Sequence, residues 1–413
     1  MHAELTDRGK PDLNGHVDQG AAIRKPAELV LPGARTPTPP DGRRGRPDEA
    51  AGSGRSDEAG EARGAGQAGR AGQAGGAGES GARRAVRPLG LAAALVLLAG
   101  GVLASVALGA KQLPPAEVWQ VLWHDDRSEA AIIVHDLRVP RTLVGLVVGL
   151  GLGVAGTLAQ ALTRNSLADP GLLGVNLGAS AAVVAAVSFL GVTTPAGYVW
   201  FALIGAALAS VAVYVLGATG RAAVAPERLI VAGAALSAVL AAFTYGVAFL
   251  DHETFDRLRF WDVAALNRAS LAQVGAVAPF ISVGVALAVA IAPALNALAM
   301  GEDSGRGLGV NVRWTRVQGV LAIALMCGAG TAVAGPITFV GLAVPHVARA
   351  ICGPDQRWVI AYSAVLAPTL LLVADVVGRL IIAPAELEVG VVTALVGAPV
   401  FIVLCRRARL GRL

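Results

Sequence analysis

Long apolar runs succeed one another along the chain from residue 88 onwards, and they constrain its fold more than any other feature. Most hold about 20 residues, the length that a helix needs to cross the hydrocarbon core of a bilayer. Only 15% of the residues are charged, whereas about a quarter are charged in soluble globular domains. We therefore predict an all-α, polytopic membrane protein with about ten transmembrane helices. The predicted spans are 88–110, 142–163, 170–190, 197–216, 228–250, 271–297, 316–334, 336–352, 359–382 and 390–405.

The first 86 residues have a different composition. They are dense in Gly, Ala, Pro and charged residues and poor in large apolar side chains. Such a segment cannot bury enough apolar surface to offset the entropy lost on ordering. We expect a disordered tail over 1–86, followed by a transmembrane domain over 87–413.

The distribution of charge predicts the orientation. Arg and Lys are more frequent in the loops that share a side with both termini, whereas acidic residues such as Asp126, Glu386 and Glu388 lie in the other loops. Basic loops remain in the cytoplasm, so we expect both termini there. The basic residues sit mainly in the tail and at span ends, without interleaved aromatic residues, and no nucleic-acid partner is predicted.

Several kinds of site are absent from the sequence. Cys327, Cys352 and Cys405 are widely spaced and lie in or beside apolar runs, so we interpret them as small buried residues and expect no disulfide framework and no metal site. None of the three Lys completes a Gly-x-x-x-x-Gly-Lys-[Ser/Thr] loop, so the chain forms no P-loop for ATP. We expect no directly bound cofactor and no enzymatic activity.

Gly recurs at four-residue spacing within the spans, as in Gly145-x-x-x-Gly149 and Gly174-x-x-x-Gly178. Small residues at this spacing let helix backbones approach closely. The pattern predicts a tightly packed bundle but suits channels, transporters and membrane enzymes equally.

Four polar clusters interrupt the apolar background. In the first, Arg138 and Arg141 flank a Pro; they are interpreted either as interfacial arginines or as a docking surface for an acidic partner. The second, 160–174, is typical of a tight helical hairpin. The third, 300–313, predicts either a pair of short surface helices for a cytoplasmic partner or a disordered connection. In the fourth, Asp375 and Arg379 lie four residues apart on one helix face and can neutralise each other.

These clusters carry a resemblance to a known family. The segments LRVPRTL, ALTRNSLADPGLLGVNLGA, MGEDSGRGLGVNV, GPITFVGLAVPHVAR and ADVVGR make residues 88–413 similar to the FecCD-type permease subunits of iron-siderophore, haem and cobalamin ABC importers. The resemblance implies a dimer of permease subunits in the cell membrane, two cytoplasmic ATPase subunits that bind ATP, an extracytoplasmic substrate-binding (lipo)protein and an iron-chelate substrate. A second permease copy and a sister permease both remain open as the dimer partner.

Residue roles follow from the same resemblance. It implies that Arg138, Arg141 and Arg379 dock carboxylates of the binding protein. It implies that the coupling segment 300–313 contacts the ATPase through Gly301, Glu302, Arg306, Leu308 and Gly309. The structural and gating motif comprises Gln160, Asn165, Pro170, Gly174, Gly335, Pro336, Pro345, His346, Arg349 and Asp375.

The sequence departs from the family pattern at several positions. Gly305 and Gly307 stand where other residues are usual, and each Gly weakens a helix by about 1 kcal/mol. The usual Trp-x-x-Gly-Ser has become Trp261-Asp-Val-Ala-Ala. An ion- or proton-coupled secondary transporter is the alternative, which needs buried carboxylates along its path; Asp375 is the one carboxylate predicted well inside a span.

Overall fold

The computed structural model describes residues 87–124, 126–192, 194–218, 226–267 and 270–410. The tail predicted over 1–86 lies outside the described residues. Regular structure in the described part is helical, as predicted. The helices are α1 Arg87–Ala107, α2 Pro115–Trp123, α3 Glu129–Ile132, α4 Val139–Thr163, α5 Val175–Leu190, α6 Pro195–Ala218, α7 Pro226–Leu250, α8 His252–Asp262, α9 Leu271–Ala299, α10 Glu302–Gly307, α11 Val312–Ala334, α12 Val340–Cys352, α13 Gln356–Ile381 and α14 Val389–Leu410.

Apolar helices coincide with all ten predicted spans. Seven helices of the described chain are long and apolar enough to cross a membrane, and three shorter apolar helices lie in α5, α12 and α14. The polytopic membrane fold is thereby confirmed, while the count of ten crossings remains a prediction.

The second predicted span begins earlier than expected. We predicted a start at residue 142, but the helix is continuous from Glu129 to Thr163. A π-helical turn, Ile133–Arg138, precedes α4, and the Val139 amide donates to the carbonyl of Val134 five residues earlier. Pro140 lacks an amide hydrogen and would break a regular helix. The wider turn beside it lets the helix continue.

Two other predicted spans begin later than expected. The third was predicted from residue 170, but Pro170–Leu173 forms a 3₁₀ turn and Gly174 adopts a φ of 73° before α5 begins. The eighth was predicted from residue 336, but α12 begins at Val340. Gly335 and Phe339 both have positive φ, which a regular helix does not allow. The α-helices of these two spans are therefore shorter at their starts than predicted.

The helix α4 lies at the centre of the bundle, where it packs against α9, α11, α12 and α13. Glycines on it admit the neighbouring backbones. A Cβ atom on Gly149 would lie 2.5 Å from the Cα of Pro368, and one on Gly153 would lie 2.5 Å from the carbonyl oxygen of Ser363. The close packing predicted from the Gly spacing is present.

Two of the three cysteines are confirmed as buried small residues. Cys327 and Cys352 are free thiols, each about 2% exposed or less. The side chain of Cys405 lies outside the described part of the chain.

Candidate functional site

The structure brings the three predicted docking arginines together where α1 ends, α4 begins and α13 ends. We call this the arginine end of the bundle. All three side chains are buried, with Arg138, Arg141 and Arg379 only 4%, 6% and 2% exposed. They therefore do not form the exposed surface that the sequence suggested. Charges that leave water need partners, and each finds them within the chain.

Arg138 closes the C-terminus of α1. Its guanidinium donates to the carbonyl oxygens of Val106 at 2.9 Å, Ala107 at 2.7 Å and Lys111 at 2.7 Å. The last carbonyls of a helix lack intrahelical partners, and the helix dipole makes this end negative. A Cβ atom on Gly109 would lie 2.7 Å from the guanidinium, so Gly109 leaves it the necessary room.

Arg379 approaches the same helix end from α13. It donates to the carbonyl oxygens of Ser105 at 3.0 Å and Leu108 at 2.8 Å, and to the Ser105 hydroxyl at 3.1 Å. Its guanidinium also lies 3.0 Å from the Asp375 carboxylate. The pair predicted from the four-residue spacing is thus present, and α1 is held at this end by two arginines.

Arg141 joins two carboxylates. Its Nε donates to the Asp375 oxygens at 2.9 and 3.0 Å, and one terminal nitrogen lies 2.7 Å from Asp375. The other terminal nitrogen donates to Glu386 at 2.6 Å. The side chain of Asp375 is fully buried. Sequence reasoning placed Glu386 in an outer loop but gave it no role, because nothing in its own neighbourhood reveals the partner 245 residues away.

A cleft of about 540 Å³ opens beside this cluster. Its lining includes Lys111, Glu386 and parts of all three arginines. The cluster contains three guanidinium groups and two carboxylates, so it holds one excess positive charge. An acidic side chain entering the cleft would be attracted to it.

Gln160 links α4 to α12 by completing the hydrogen bonding that Pro345 disrupts. Pro345 has no amide hydrogen, so the carbonyl four residues earlier, Gly341, lacks its usual helical donor. The Gln160 amide nitrogen lies 3.4 Å from that oxygen and donates at 3.1 Å to the carbonyl of Leu342. Its amide oxygen accepts a hydrogen bond from Arg349. The gating-motif residues Gln160 and Arg349 thus contact each other, and Gln160 also bonds the turn of α12 that precedes Pro345.

The segment after α4 turns back into the bundle. The Asn165 side chain accepts from the Leu167 amide at 3.0 Å, and the Asp169 side chain accepts from the Gly171 amide at 2.8 Å. These are the local turn contacts that Asn and Asp favour. Pro170 packs against Gly341, where a Cβ atom would lie 2.8 Å from the proline ring. The hairpin predicted over 160–174 is present.

The predicted coupling segment contains one short helix, α10, rather than a pair of helices. Glu302 begins it and pairs with Arg316 at 2.5 Å and with Arg306 at 3.3 Å. Gly301 and Gly309 flank the helix with φ of 118° and 81°, which side chains other than Gly rarely adopt. Leu308 is 63% exposed directly after it.

The two unusual glycines of α10 differ in their surroundings. A Cβ atom on Gly305 would lie 2.9 Å from the Leu298 side chain, so Gly305 allows α10 to pack on the end of α9. A Cβ atom on Gly307 would meet nothing within 4 Å. We expected both glycines to weaken the helix. Packing gives a reason for the glycine only at Gly305.

A second, larger cavity of about 1180 Å³ lies between the turn after α4, α5, the segment before α12, and α14. Its walls are mainly apolar, and they include the predicted motif residue Pro336. Its described lining residues come from the third, eighth and tenth predicted spans and the adjoining loops.

Two residues of the structural and gating motif remain, Gly335 and His346. Gly335 lets α11 end beside Trp261, whose carbonyl oxygen would lie 2.3 Å from a Cβ atom there. His346 is half-buried within α12. Across the described residues, no group of three or more His, Cys, Asp or Glu side chains is placed to hold a metal ion.

Comparison with known proteins identifies the family. A model of the FecCD transport family matches residues 96–407 of the chain. The chain belongs to the FecCD transport family. Membership makes it a permease subunit of an ABC importer and not an enzyme, and it implies ATPase partners and a dimer. The secondary-transporter alternative is therefore wrong.

The alignments of this FecCD member with curated relatives cover nearly the whole length of each relative. The chain is 43% identical over 328 residues to the ferric enterobactin transport system permease protein FepD of Escherichia coli (strain K12), covering 79% of this chain and 97% of that protein. It is 37% identical over 313 residues to a probable siderophore transport system permease protein, YfiZ, of Bacillus subtilis (strain 168), covering 76% and 94%. It is 34% identical over 321 residues to the hemin transport system permease protein HmuU of Yersinia pestis, covering 76% and 94%.

A solved structure shares the fold. It is described as an inward-facing conformation of a metal-chelate type ABC transporter, and it matches with a TM-score of 0.67 at 23% identity. The match covers 78% of this FecCD chain and 99% of the solved chain. The helical arrangement described above is therefore that of an ABC transporter permease.

Proposed function

We propose that this permease carries a ferric chelate across the cytoplasmic membrane, with both of its termini in the cytoplasm. The observation that carries the proposal is that this chain is 43% identical to a permease named for ferric enterobactin, in an alignment that covers nearly the whole of that permease. The siderophore and hemin permeases among the relatives support the same substrate class. The cavity of about 1180 Å³ exceeds the range of roughly 300–1,000 Å³ common for small-molecule sites, which suits a bulky cargo.

The arginine end is the proposed docking site of an extracytoplasmic binding protein. Arg138, Arg141 and Arg379 direct most of their donors into the chain, so a carboxylate of the binding protein would reach them through the cleft of about 540 Å³. The cluster has one excess positive charge, which supports its recognition of an acidic side chain of the binding protein. Docking at this end also agrees with the cytoplasmic position proposed for α10 at the other end.

The segment 300–313 is the proposed contact with an ATPase subunit that binds ATP. Met300 and Leu308 are 64% and 63% exposed, so apolar side chains flank α10 on the surface. The salt bridge from Glu302 to Arg316 ties α10 to α11. A push on α10 would therefore be transmitted to the bundle. The proposed cycle moves the dimer between outward-open and inward-open states as the ATPases close.

Uptake in cells tests the proposed cargo and energy source together. We would compare a deletion strain with and without this gene, using labelled ferric siderophores, haem and cobalamin, each in the presence and absence of vanadate. We expect the gene to restore vanadate-sensitive uptake of a ferric siderophore. Uptake of none of the three by cells that contain the protein in their membrane would refute the proposed cargo.

The coupling contact has its own test. Leu308→Asp places a charge on the exposed apolar position after α10, and we expect it to reduce copurification of the ATPase at least about tenfold, because buried interface cores exclude charge. Leu137→Asp is the matched control, since Leu137 is 57% exposed at the arginine end. Equal copurification of both variants would remove Leu308 from the proposed contact.

A further inference from the structure

The cleft at the arginine end already contains a carboxylate of this chain. Glu386, in the segment between α13 and α14, lines the cleft together with Arg141 and Lys111. Its carboxylate accepts from the Nη1 of Arg141 at 2.6 Å. The proposed docking brings a carboxylate of the binding protein to the same cleft. That carboxylate would therefore meet a nitrogen of Arg141 to which Glu386 is already bonded.

The two carboxylates on Arg141 differ in how readily they can be displaced. The side chain of Asp375 is fully buried and is shared between Arg141 and Arg379. Displacing it would leave an uncompensated charge inside the bundle, which is strongly destabilising. The side chain of Glu386 is 28% exposed, so water can replace Arg141 as its partner. Glu386 is therefore the partner that can be exchanged.

The other two arginines of the cluster are bonded to the backbone. Arg138 donates to three carbonyls at the end of α1, and Arg379 donates to two. Moving either guanidinium would take donors away from these carbonyls. Arg141 instead contacts two carboxylates. Exchange of one carboxylate for another on Arg141 conserves its charge-assisted hydrogen bonds, so it is the least costly way to admit a new carboxylate.

The position of Glu386 connects such an exchange to the large cavity. The helix α14 begins at Val389, three residues after Glu386, and Gly390 lines the cavity of about 1180 Å³. The ion pair with Arg141 therefore holds the segment that leads into one wall of the cavity. Release of Glu386 would remove that restraint at the arginine end.

We propose that Glu386 is an exchangeable internal partner of Arg141, which a carboxylate of the binding protein replaces on docking. The inference rests on the proposed function, because it assigns the step by which the arginine end accepts the binding protein. Glu386 then competes with the binding protein, so weakening its contact with Arg141 strengthens docking. A purely structural ion pair has the opposite effect, since Arg141 without its partner is less well positioned to bind a carboxylate.

The test measures docking of the importer's own binding protein to the complex of permease and ATPase in lipid nanodiscs. The probe is the binding protein that copurifies with the importer from the native membrane, immobilised on a sensor surface. The readout is the Kd of each variant divided by the Kd of the unmodified complex. Each variant complex is first purified as a single assembled species, so a folding defect is not measured as a loss of docking.

We expect Glu386→Gln to lower the Kd about tenfold, because it replaces a charge-assisted hydrogen bond by a neutral one in the undocked state only. Glu386→Asp keeps the charge but shortens the side chain by one methylene, so it should lower the Kd about threefold. Asp136→Asn is the matched control, since Asp136 is an exposed carboxylate of the π turn at the same end and takes no part in the arginine contacts described above. It should leave the Kd within about twofold.

Each outcome bears on the exchange. An unchanged or raised Kd in Glu386→Gln would overturn it and leave the proposed docking site standing. An equal gain in Asp136→Asn, or no gain in Glu386→Asp, would also overturn it, because the effect would then follow net charge and not the contact with Arg141.

A separate variant tests the docking site itself. Lys111 lines the cleft and its side chain is 52% exposed, so Lys111→Glu reverses a charge there without burying it. We expect this variant to raise the Kd at least about fivefold, because like charges on facing surfaces repel. An unchanged Kd in Lys111→Glu, or no docking by the unmodified complex, would refute the arginine end as the docking site, and the exchange with it.

Discussion

The contact between α4 and α12 gives the sharpest test of the fold. A Cβ atom on Gly156 would lie only 1.9 Å from the carbonyl oxygen of Gly341, far inside the ordinary contact distance, which begins near 3.4 Å. The obstacle is backbone, so it cannot rotate away as a side chain could. Gly156→Ala must therefore push the two helices apart, and overpacking of this kind typically costs about 1–3 kcal/mol.

Gly100→Ala is the matched control, because Gly100 also lies inside a helix and its Cβ atom would meet nothing within 4 Å. There the gain in helix propensity, up to about 1 kcal/mol, is not opposed. Taking the upper end of the overpacking range, we expect the two variants to differ by about 3 kcal/mol in the free energy of unfolding. At roughly 2 °C per kcal/mol, that separates their Tm values by about 6 °C.

Thermal unfolding of the detergent-purified protein measures this difference. Size-exclusion chromatography of heated samples gives the Tm, and the unmodified protein is measured beside both variants. Gly156→Ala should be the least stable of the three. A Gly156→Ala variant as stable as Gly100→Ala would show that the backbones of α4 and α12 do not meet at Gly156.

Two further substitutions test the polar contacts of the bundle. Arg141→Gln removes the cation that joins Asp375 to Glu386, while Arg379 still pairs with Asp375. Because hydrogen bonds to charged groups are worth about 1.5–3 kcal/mol, we expect this variant to lose about 2 kcal/mol of stability. An unchanged Tm would contradict this. Gln160→Leu leaves the carbonyls of α12 without their side-chain donor and should cost about 1–3 kcal/mol of stability. Gln160→Glu retains the acceptor for Arg349 but not the donor, so it should recover only part of that loss. Thermal unfolding checks both, and full stability of Gln160→Leu would show that the link is dispensable.

The sequence predicted the locations of the helices well. Ten apolar runs correspond to ten apolar helices, because a bilayer imposes the same local requirement on every crossing segment, namely enough consecutive apolar residues with an internally hydrogen-bonded backbone. It also predicted the close helix packing, since Gly spacing is local information. The helix boundaries at the second, third and eighth spans were less predictable, because the π turn before Pro140 and the positive φ at Gly174 and Phe339 depend on neighbouring elements.

The tertiary structure decided what the polar residues do. The family resemblance implied docking roles for Arg138, Arg141 and Arg379. The fold adds that Arg138 and Arg379 bond the carbonyls that end α1, and the hydrogen bond from Arg379 to Ser105 joins residues 274 positions apart. The sequence marked Gln160 and Pro345 separately, and only the packing of α4 on α12 makes one complete the hydrogen bonding of the other. It likewise gave no sign that Asp169 and Asp262 share a cavity. Hydropathy and turn propensity act over a few residues and can be read along the chain, whereas the partner of a buried polar group is fixed only when distant segments pack together.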